Sequence, residues 1–158
     1  MSRRNIHLNG ITYRWPVQPV VVVCIDGGDP AYIEQGIRDG IIPNIARFTR
    51  EGFSAIAEGT VPSFTCPNNM SLITGAPPAV HGISGNFYLD VASGEAVVMT
   101  GPELLRSRTI LAEFADAGAR VVSITAKDKL RRQLGKDLDL ARGNISFSSE
   151  MADQCSMS

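Results

Sequence analysis

The sequence predicts an α/β fold: a mostly parallel sheet flanked by helices, with small β-hairpins beside it. Three observations carry this expectation. The run Val20-Val-Val-Val-Cys-Ile25 is continuous, mostly β-branched and ends at Asp26-Gly27-Gly28-Asp29, the pattern of a strand buried on both faces. Strand-like runs alternate with helical periodicity, the order that yields parallel strands joined by right-handed crossovers. Finally, 44% hydrophobic residues in a chain of 158 suffice to fill the core of one ordinary domain.

Ile6, Leu8, Ile11, Tyr13 and Trp15 flank Asn9-Gly10, a type I′ turn signal between alternating residues, so a hairpin is expected first. After the Val20–Ile25 run, helices are expected over 31–38 and 43–51. In the second, Ile45 and Phe48 form a stripe and Gly52 a stop. Residues 53–57 read as a second strand. A third helix is expected from Thr65, with Pro67 just inside and Gly75 just past its end.

Residues 87–89 and 96–99 bracket Ser93-Gly94 as a second hairpin. A helix over 109–117 places Ile110, Leu111, Phe114 and Ala117 on one face and stops at Gly118. Val121-Val-Ser-Ile124 reads as another buried strand, residues 127–134 as a short basic helix, and residues 145–147 as a last strand. The tail from Ser148 carries no capping element, so the sheet is expected to be incomplete at its C-terminus. No internal repeat, low-complexity tract or interdomain linker stands out.

A net charge of −1 excludes broad electrostatic partners such as nucleic acid or an anionic membrane surface, and makes any charge recognition local. The longest apolar run is far too short to span a bilayer, and the N-terminus has no apolar leader segment. Three cysteines, Cys24, Cys66 and Cys155, are odd in number and lack metal-ligand spacing, which fits reduced thiols in the cytoplasm. The two histidines, His7 and His81, limit any zinc chemistry the chain performs alone. Phosphate-binding loops of the GxxxxGK(S/T) and GxGxxG kinds are absent, as are a GxSxG elbow and a Cys–His pair.

Asp26 falls where the first strand should end, and ligands of open α/β sheets gather outside the carboxyl ends of strands. A catalytic or metal-binding carboxylate and a turn or helix-cap aspartate fit that position about equally. Thr65, at the start of a helix, would lie against unpaired backbone N–H groups and the positive end of the helix dipole, which favour an alkoxide or a phosphoryl group. From the residue alone a plain N-cap threonine is the favoured reading, because caps are far commoner than nucleophiles. Asn86, after His81-Gly-Ile-Ser-Gly85, offers an amide to an oxyanion, or serves as an ordinary turn residue. His81 has no acid or second histidine at ligand spacing, so a structural role bonding nearby backbone is expected. Lys127 and Lys129 follow a strand and would receive an anion, or belong with Arg131 and Arg132 to a solvated helix face.

Together these segments resemble one family. Val20-Val-Val-Val-Cys-Ile-Asp-Gly-Gly28, Pro62-Ser-Phe-Thr-Cys-Pro-Asn-Asn69, Ser71-Leu-Ile-Thr-Gly75 and His81-Gly-Ile-Ser-Gly-Asn86 occur in the order seen in phosphodiesterase-like members of the alkaline phosphatase superfamily. Within that group, Asn9-Gly-Ile-Thr-Tyr-Arg-Trp-Pro16 and Thr125-Ala-Lys-Asp-Lys-Leu130 are similar to the phosphonoacetate hydrolases. The resemblance implies that residues 1–158 are the N-terminal part of an alkaline phosphatase-like catalytic domain, with residues 1–17 as a hairpin extension. It implies zinc, two ions in the complete family site, with Asp26 and Thr65 as ligands of one ion and Thr65 as the nucleophile. Asn86 would hold a phosphonate oxygen, and Lys127 and Lys129 the substrate carboxylate. The implied reaction cleaves the carbon–phosphorus bond of phosphonoacetate to acetate and phosphate. The partner is then a small phosphonate, without nucleic acid or membrane, and a homodimer is compatible with it.

Family members are longer and take their remaining metal ligands from a C-terminal region. Catalytic zinc needs three ligands plus water, whereas Asp26 and Thr65 are two, so impaired activity is expected. A nucleotide pyrophosphatase or phosphodiesterase, and a truncated non-catalytic fragment, are the competing expectations.

Overall fold

A computed structural model describes residues 5–154. The chain divides into two compact units: Met1–Gln18 with Thr60–Ser158, and Pro19–Gly59. Each is described by itself.

The larger unit opens with a hairpin of β1 (Asn5–Leu8) and β2 (Ile11–Arg14), paired antiparallel with Leu8 opposite Ile11. Asn9 and Gly10 both take positive φ, 48° and 81°, which is the type I′ turn their identities predict. Ile6 and Leu8 bury one face of β1, and Trp15 beyond β2 sets its ring 5.6 Å from that of Phe114.

Helix α3 (Thr65–Thr74) follows, with Gly75 as its left-handed C-cap at φ 63°. The left-handed backbone at Gly75 favours glycine, and a β-carbon there would lie 2.1 Å from the Tyr13 hydroxyl, which would have to move aside. The Asn9 side chain bonds the Thr74 carbonyl at 2.8 Å at the same place. The one-turn helix α4 (Pro78–His81) leads to the second hairpin, β3 (Phe87–Leu89) with β4 (Ala96–Val98).

Helix α5 (Ile110–Asp116) is capped by the Thr109 side chain, which accepts from the Ala112 N–H. Strand β5 (Val122–Thr125), helix α6 (Asp128–Leu134) and strand β6 (Ile145–Ser148) then form a β–α–β unit whose strands pair in parallel. Cys66, Met70, Ile83, Met99 and Leu105 make the core of this unit, with Ile73 and Leu134 against it.

The smaller unit holds α1 (Pro30–Arg38) and α2 (Pro43–Glu51), which pack on each other. Asp29 caps α1 by accepting from the Ala31 N–H at 2.8 Å, and proline occupies the first turn of both helices, where no N–H is needed.

Three strand expectations need correction. Residues 20–25 are in no strand, and Val21 and Val22 are 84% and 85% exposed. Residues 53–57 are likewise in no strand, with Phe53 91% exposed. A strand exists only through its ladder, and neither run has a paired neighbour among the described residues. The Val121–Ile124 run does form β5, but Val122 and Ile124 are exposed and Ser123 is the buried residue, so it is half-buried rather than enclosed. In α2, Ile45 is half-buried while Phe48 stays exposed. Among the described residues, no helix is long and apolar enough to cross a membrane. Cys24 and Cys66 are free thiols, and Cys155 lies outside the described residues.

Candidate active site

The site is best built from the first turn of α3. Phe64, in extended conformation, is the N-cap and makes no side-chain cap bond, so Thr65 occupies the first helical position. The N-cap alternative for Thr65 is thereby excluded. Asn68 shapes the approach to this turn. Its oxygen accepts from the Thr60 N–H at 2.9 Å, and its amide donates to the Ser63 hydroxyl and the Phe64 carbonyl at 3.1 and 3.0 Å. Asn69 donates to the Thr65 carbonyl at 2.9 Å. Neither asparagine was singled out by the sequence, because their signal (Asn-Asn inside a helix start) is indistinguishable from ordinary helix-end chemistry.

A helix start normally offers a row of backbone donors, but here the row is short. Pro67 has no N–H, and the Cys66 N–H is engaged at 3.1 Å by the Oδ1 of Asn86. The expectation that Thr65 lies against unpaired backbone N–H groups is corrected for Cys66 in particular. Because that N–H requires an acceptor, the Asn86 carboxamide presents its oxygen to α3 and retains Nδ2 as a donor. The structure thus brings Asn86 to the residue next to Thr65.

His81 is fully buried behind this arrangement. Its Nδ1 accepts from the Ile83 N–H at 3.1 Å and its Nε2 meets the Ser71 hydroxyl at 3.0 Å. An accepting Nδ1 fixes the proton on Nε2, which therefore donates to Ser71. Burial first, then the nearby positive charge of Arg106, pushes its pKa below the ordinary 6.5, the direction that favours the neutral ring. Both ring nitrogens of His81 are engaged by neighbouring protein groups, as a structural histidine's would be.

Lys127 is the exposed N-cap of α6 and Lys129 lies half-buried in its first turn. The turn is tied down from both sides: the Thr125 hydroxyl donates to the Lys127 carbonyl at 2.7 Å, and the Asp128 N–H donates to Glu150 at 2.8 Å. Arg131 and Arg132 both pair with the Asp128 carboxylate, which also accepts from Ser148. The bond from Arg131 leads in holding that carboxyl below its usual range, against the opposing effect of burial. Among the described residues neither lysine joins an ion pair, and both line an open cleft of about 610 Å³ with Thr100, Asp128, Arg132 and Glu150. The four-residue basic cluster is therefore two paired arginines and two lysines facing a cleft. Helix α6 packs on α3 within the same unit.

Asp26 belongs to the smaller unit. It sits in a turn closed by the Gly28 N–H on the Ile25 carbonyl at 3.1 Å, with Gly27 at φ 70°. The helix-cap role falls to Asp29, three residues on. Among the described residues no group of three or more His, Cys, Asp or Glu side chains is placed to hold a metal ion. Carboxylate and hydroxyl are suitable oxygen donors, but Asp26 and Thr65 are too few for a zinc site.

The type I phosphodiesterase / nucleotide pyrophosphatase family matches residues 20–133. Two crystal structures of phosphonoacetate hydrolase from Sinorhizobium meliloti 1021, one in complex with phosphonoformate and one with phosphonoacetate, are each 46% identical to this chain with a TM-score of 0.93. Each match covers 99% of this chain and 38% of the hydrolase. An uncharacterized pyrophosphatase/phosphodiesterase of Schizosaccharomyces pombe is 29% identical over 90 residues, 57% of this chain and 18% of that protein. The chain thus spans well under half the length of these relatives. The likeness shows the alkaline phosphatase-like α/β fold class and a hydrolase kinship.

Proposed function

This chain belongs to the type I phosphodiesterase / nucleotide pyrophosphatase family, and from that premise we propose that it carries the nucleophile and substrate-binding part of a phosphonoacetate hydrolase. The observation that supports this most is the Asn86 carboxamide, anchored by its oxygen to the first turn of α3 beside Thr65, with its Nδ2 as donor. The likeness to the Sinorhizobium enzyme at 46% identity supports the substrate class.

In this reading the deprotonated Thr65 oxygen adds to phosphorus and the phosphorus–carbon bond breaks. The electron pair departs on the methylene carbon, which takes a proton from water to become acetate. Water then cleaves the phosphothreonine ester and releases phosphate. Asn86 donates to the phosphonate oxygen that gains negative charge, and the α3 dipole favours charge at the same end. Lys127 and Lys129 hold the carboxylate and ease charge build-up on the leaving group. Asp26 and Thr65 are assigned to a zinc ion, which when bound would neutralise oxyanions. Reduced Cys24 and Cys66 fit a cytoplasmic setting.

Two donors do not make a tight site, so calorimetric titration of this chain with zinc should give weak binding; a tight one-site isotherm overturns that expectation. With excess zinc, slow phosphate release from phosphonoacetate is expected, and none above buffer from Thr65→Ala. Undiminished release from Thr65→Ala ends the nucleophile assignment. The family description and the yeast relative favour a second reading, a nucleotide pyrophosphatase or phosphodiesterase. Hydrolysis of a nitrophenyl phosphodiester without phosphate release from phosphonoacetate would select it.

A further inference from the structure

Residues 81–86 run past α3 and are tied to it at two rungs. Cys66 donates to Asn86 at 3.1 Å, and His81 Nε2 bonds Ser71 at 3.0 Å. The rungs lie five residues apart along each segment, so the two run antiparallel, with one tie at the reactive end of α3 and one in its interior.

Every polar atom of the His81 ring is used in this connection. Nδ1 accepts from the Ile83 N–H and Nε2 donates to the Ser71 hydroxyl, while the His81 carbonyl accepts from the Arg106 N–H at 2.9 Å. Arg106 returns to the Ala79 carbonyl at 3.0 Å, closing the turn around Gly82. Ile83, whose N–H the ring holds, is fully buried in the core against Cys66 and Met70. The path from His81 to Asn86 is therefore fixed at its origin by the ring and in its middle by core packing. A buried imidazole is costly unless bonded, and an aliphatic side chain would fill the volume without that cost. What the imidazole adds over an aliphatic group is direction: two bonds, at a fixed angle, to two different segments.

We infer that His81 is a positioning residue for Asn86: by locking residues 81–86 onto α3 it holds the Asn86 oxygen on the Cys66 N–H and so aims Nδ2 beside Thr65. The catalytic meaning of this rests on the roles proposed for Thr65 and Asn86, whereas the positioning itself does not.

The test uses the full chain, ¹⁵N-labelled, and reads amide hydrogen exchange. The Cys66 N–H is held by one bond, to Asn86, so its exchange reports whether Asn86 is in place. Ser71→Ala removes the α3 rung and keeps the Ile83 bond; it should speed Cys66 exchange about tenfold or more while leaving the Ala112 amide, held by Thr109 in α5, unchanged. Ser71→Thr restores a hydroxyl and should restore slow exchange at Cys66. Unaltered Cys66 exchange in folded Ser71→Ala overturns the inference, as does an equal rise at Cys66 and Ala112, which would mark general loosening. His81→Ala should reproduce the Ser71→Ala pattern; should it not fold, Ser71→Ala and Ser71→Thr decide the matter. Absence of phosphonoacetate binding with the expected exchange pattern would count against the hydrolase reading alone. Binding with unaltered Cys66 exchange would count against the positioning role alone.

Discussion

The two ends of the candidate site are built on opposite principles. Around α3, the groups that direct Asn86 are neutral and largely enclosed: an amide oxygen, an imidazole, a hydroxyl and backbone N–H groups. At the start of α6, the groups that line the cleft are mostly charged, Lys127, Lys129 and Arg132 beside the carboxylates of Asp128 and Glu150, and Asp128 pairs with Arg131 and Arg132. A neutral bond acts over one distance and in one direction, and losing one partner leaves a buried group unsatisfied at about 1–3 kcal/mol. An ammonium at the surface acts over several ångströms in any direction and is weakened by salt. Under the roles proposed above, the difference amounts to a division of labour: the α3 end would specify where an atom must be, and the two lysines the sign of charge.

The largest effect should come from disturbing the α3 end through its backbone. Gly82 has φ 89°, and a β-carbon there would lie 2.5 Å from the Leu104 carbonyl oxygen. Gly82→Ala should therefore cost about 2–4 kcal/mol in urea unfolding and dislodge residues 81–86 from α3. A loss below about 0.5 kcal/mol would mean that this turn is more pliant than the contrast requires.

Lys127→Ala should have an intermediate effect. Phosphonoacetate binding, followed by NMR titration, should weaken about tenfold at low salt, with unfolding nearly unchanged. Raising salt to about 0.5 M should shrink that difference. A salt-independent loss would show that Lys127 acts by shape rather than by charge.

The smallest effect is on acidity, where the two ends should separate. The pKa of His81 is lowered in the folded chain, so the unfolded chain binds a proton first as pH falls. Stability from the α3 end should thus decline as pH drops through about 6.5 and below. The Asp128 carboxyl is also lowered, so its contribution is complete above the ordinary 3.8 and is lost only as pH falls through its depressed value. Unfolding measured from pH 8 to 3 on wild type and Asp128→Asn should show a steady difference above the ordinary 3.8 that shrinks only at the acid end. A difference between the two that changes between pH 7 and 5 would break the assignment of windows.

Local signals were legible in the sequence. Asn9-Gly10 specified a type I′ hairpin, Pro67 and Gly75 bounded α3, and Thr109 announced the start of α5. These features depend on neighbours a few residues away. The strand at 20–25 did not follow from its composition, because a ladder needs partners distant in sequence, and β-branched residues state only a preference. Val122 and Ile124 make the same point from the other side: they pair with Ile145 and Phe147, yet their side chains remain exposed. The Asn86–Cys66 contact was not readable either, since it joins residues 20 apart through a turn whose geometry depends on Gly82 and His81. Asn68, which draws Thr60, Ser63 and Phe64 together, left no pattern to recognise.

The bare Val20–Ile25 run has a practical consequence for anyone handling the molecule. Six uncharged, strongly β-prone residues with Val21 and Val22 mostly in solvent form a stretch that can template cross-β stacking with identical copies. Because the attraction is apolar and backbone-mediated, dilution should suppress such self-assembly, whereas added salt should promote rather than dissolve it. A lysine placed at Val22 would act as a gatekeeper against it.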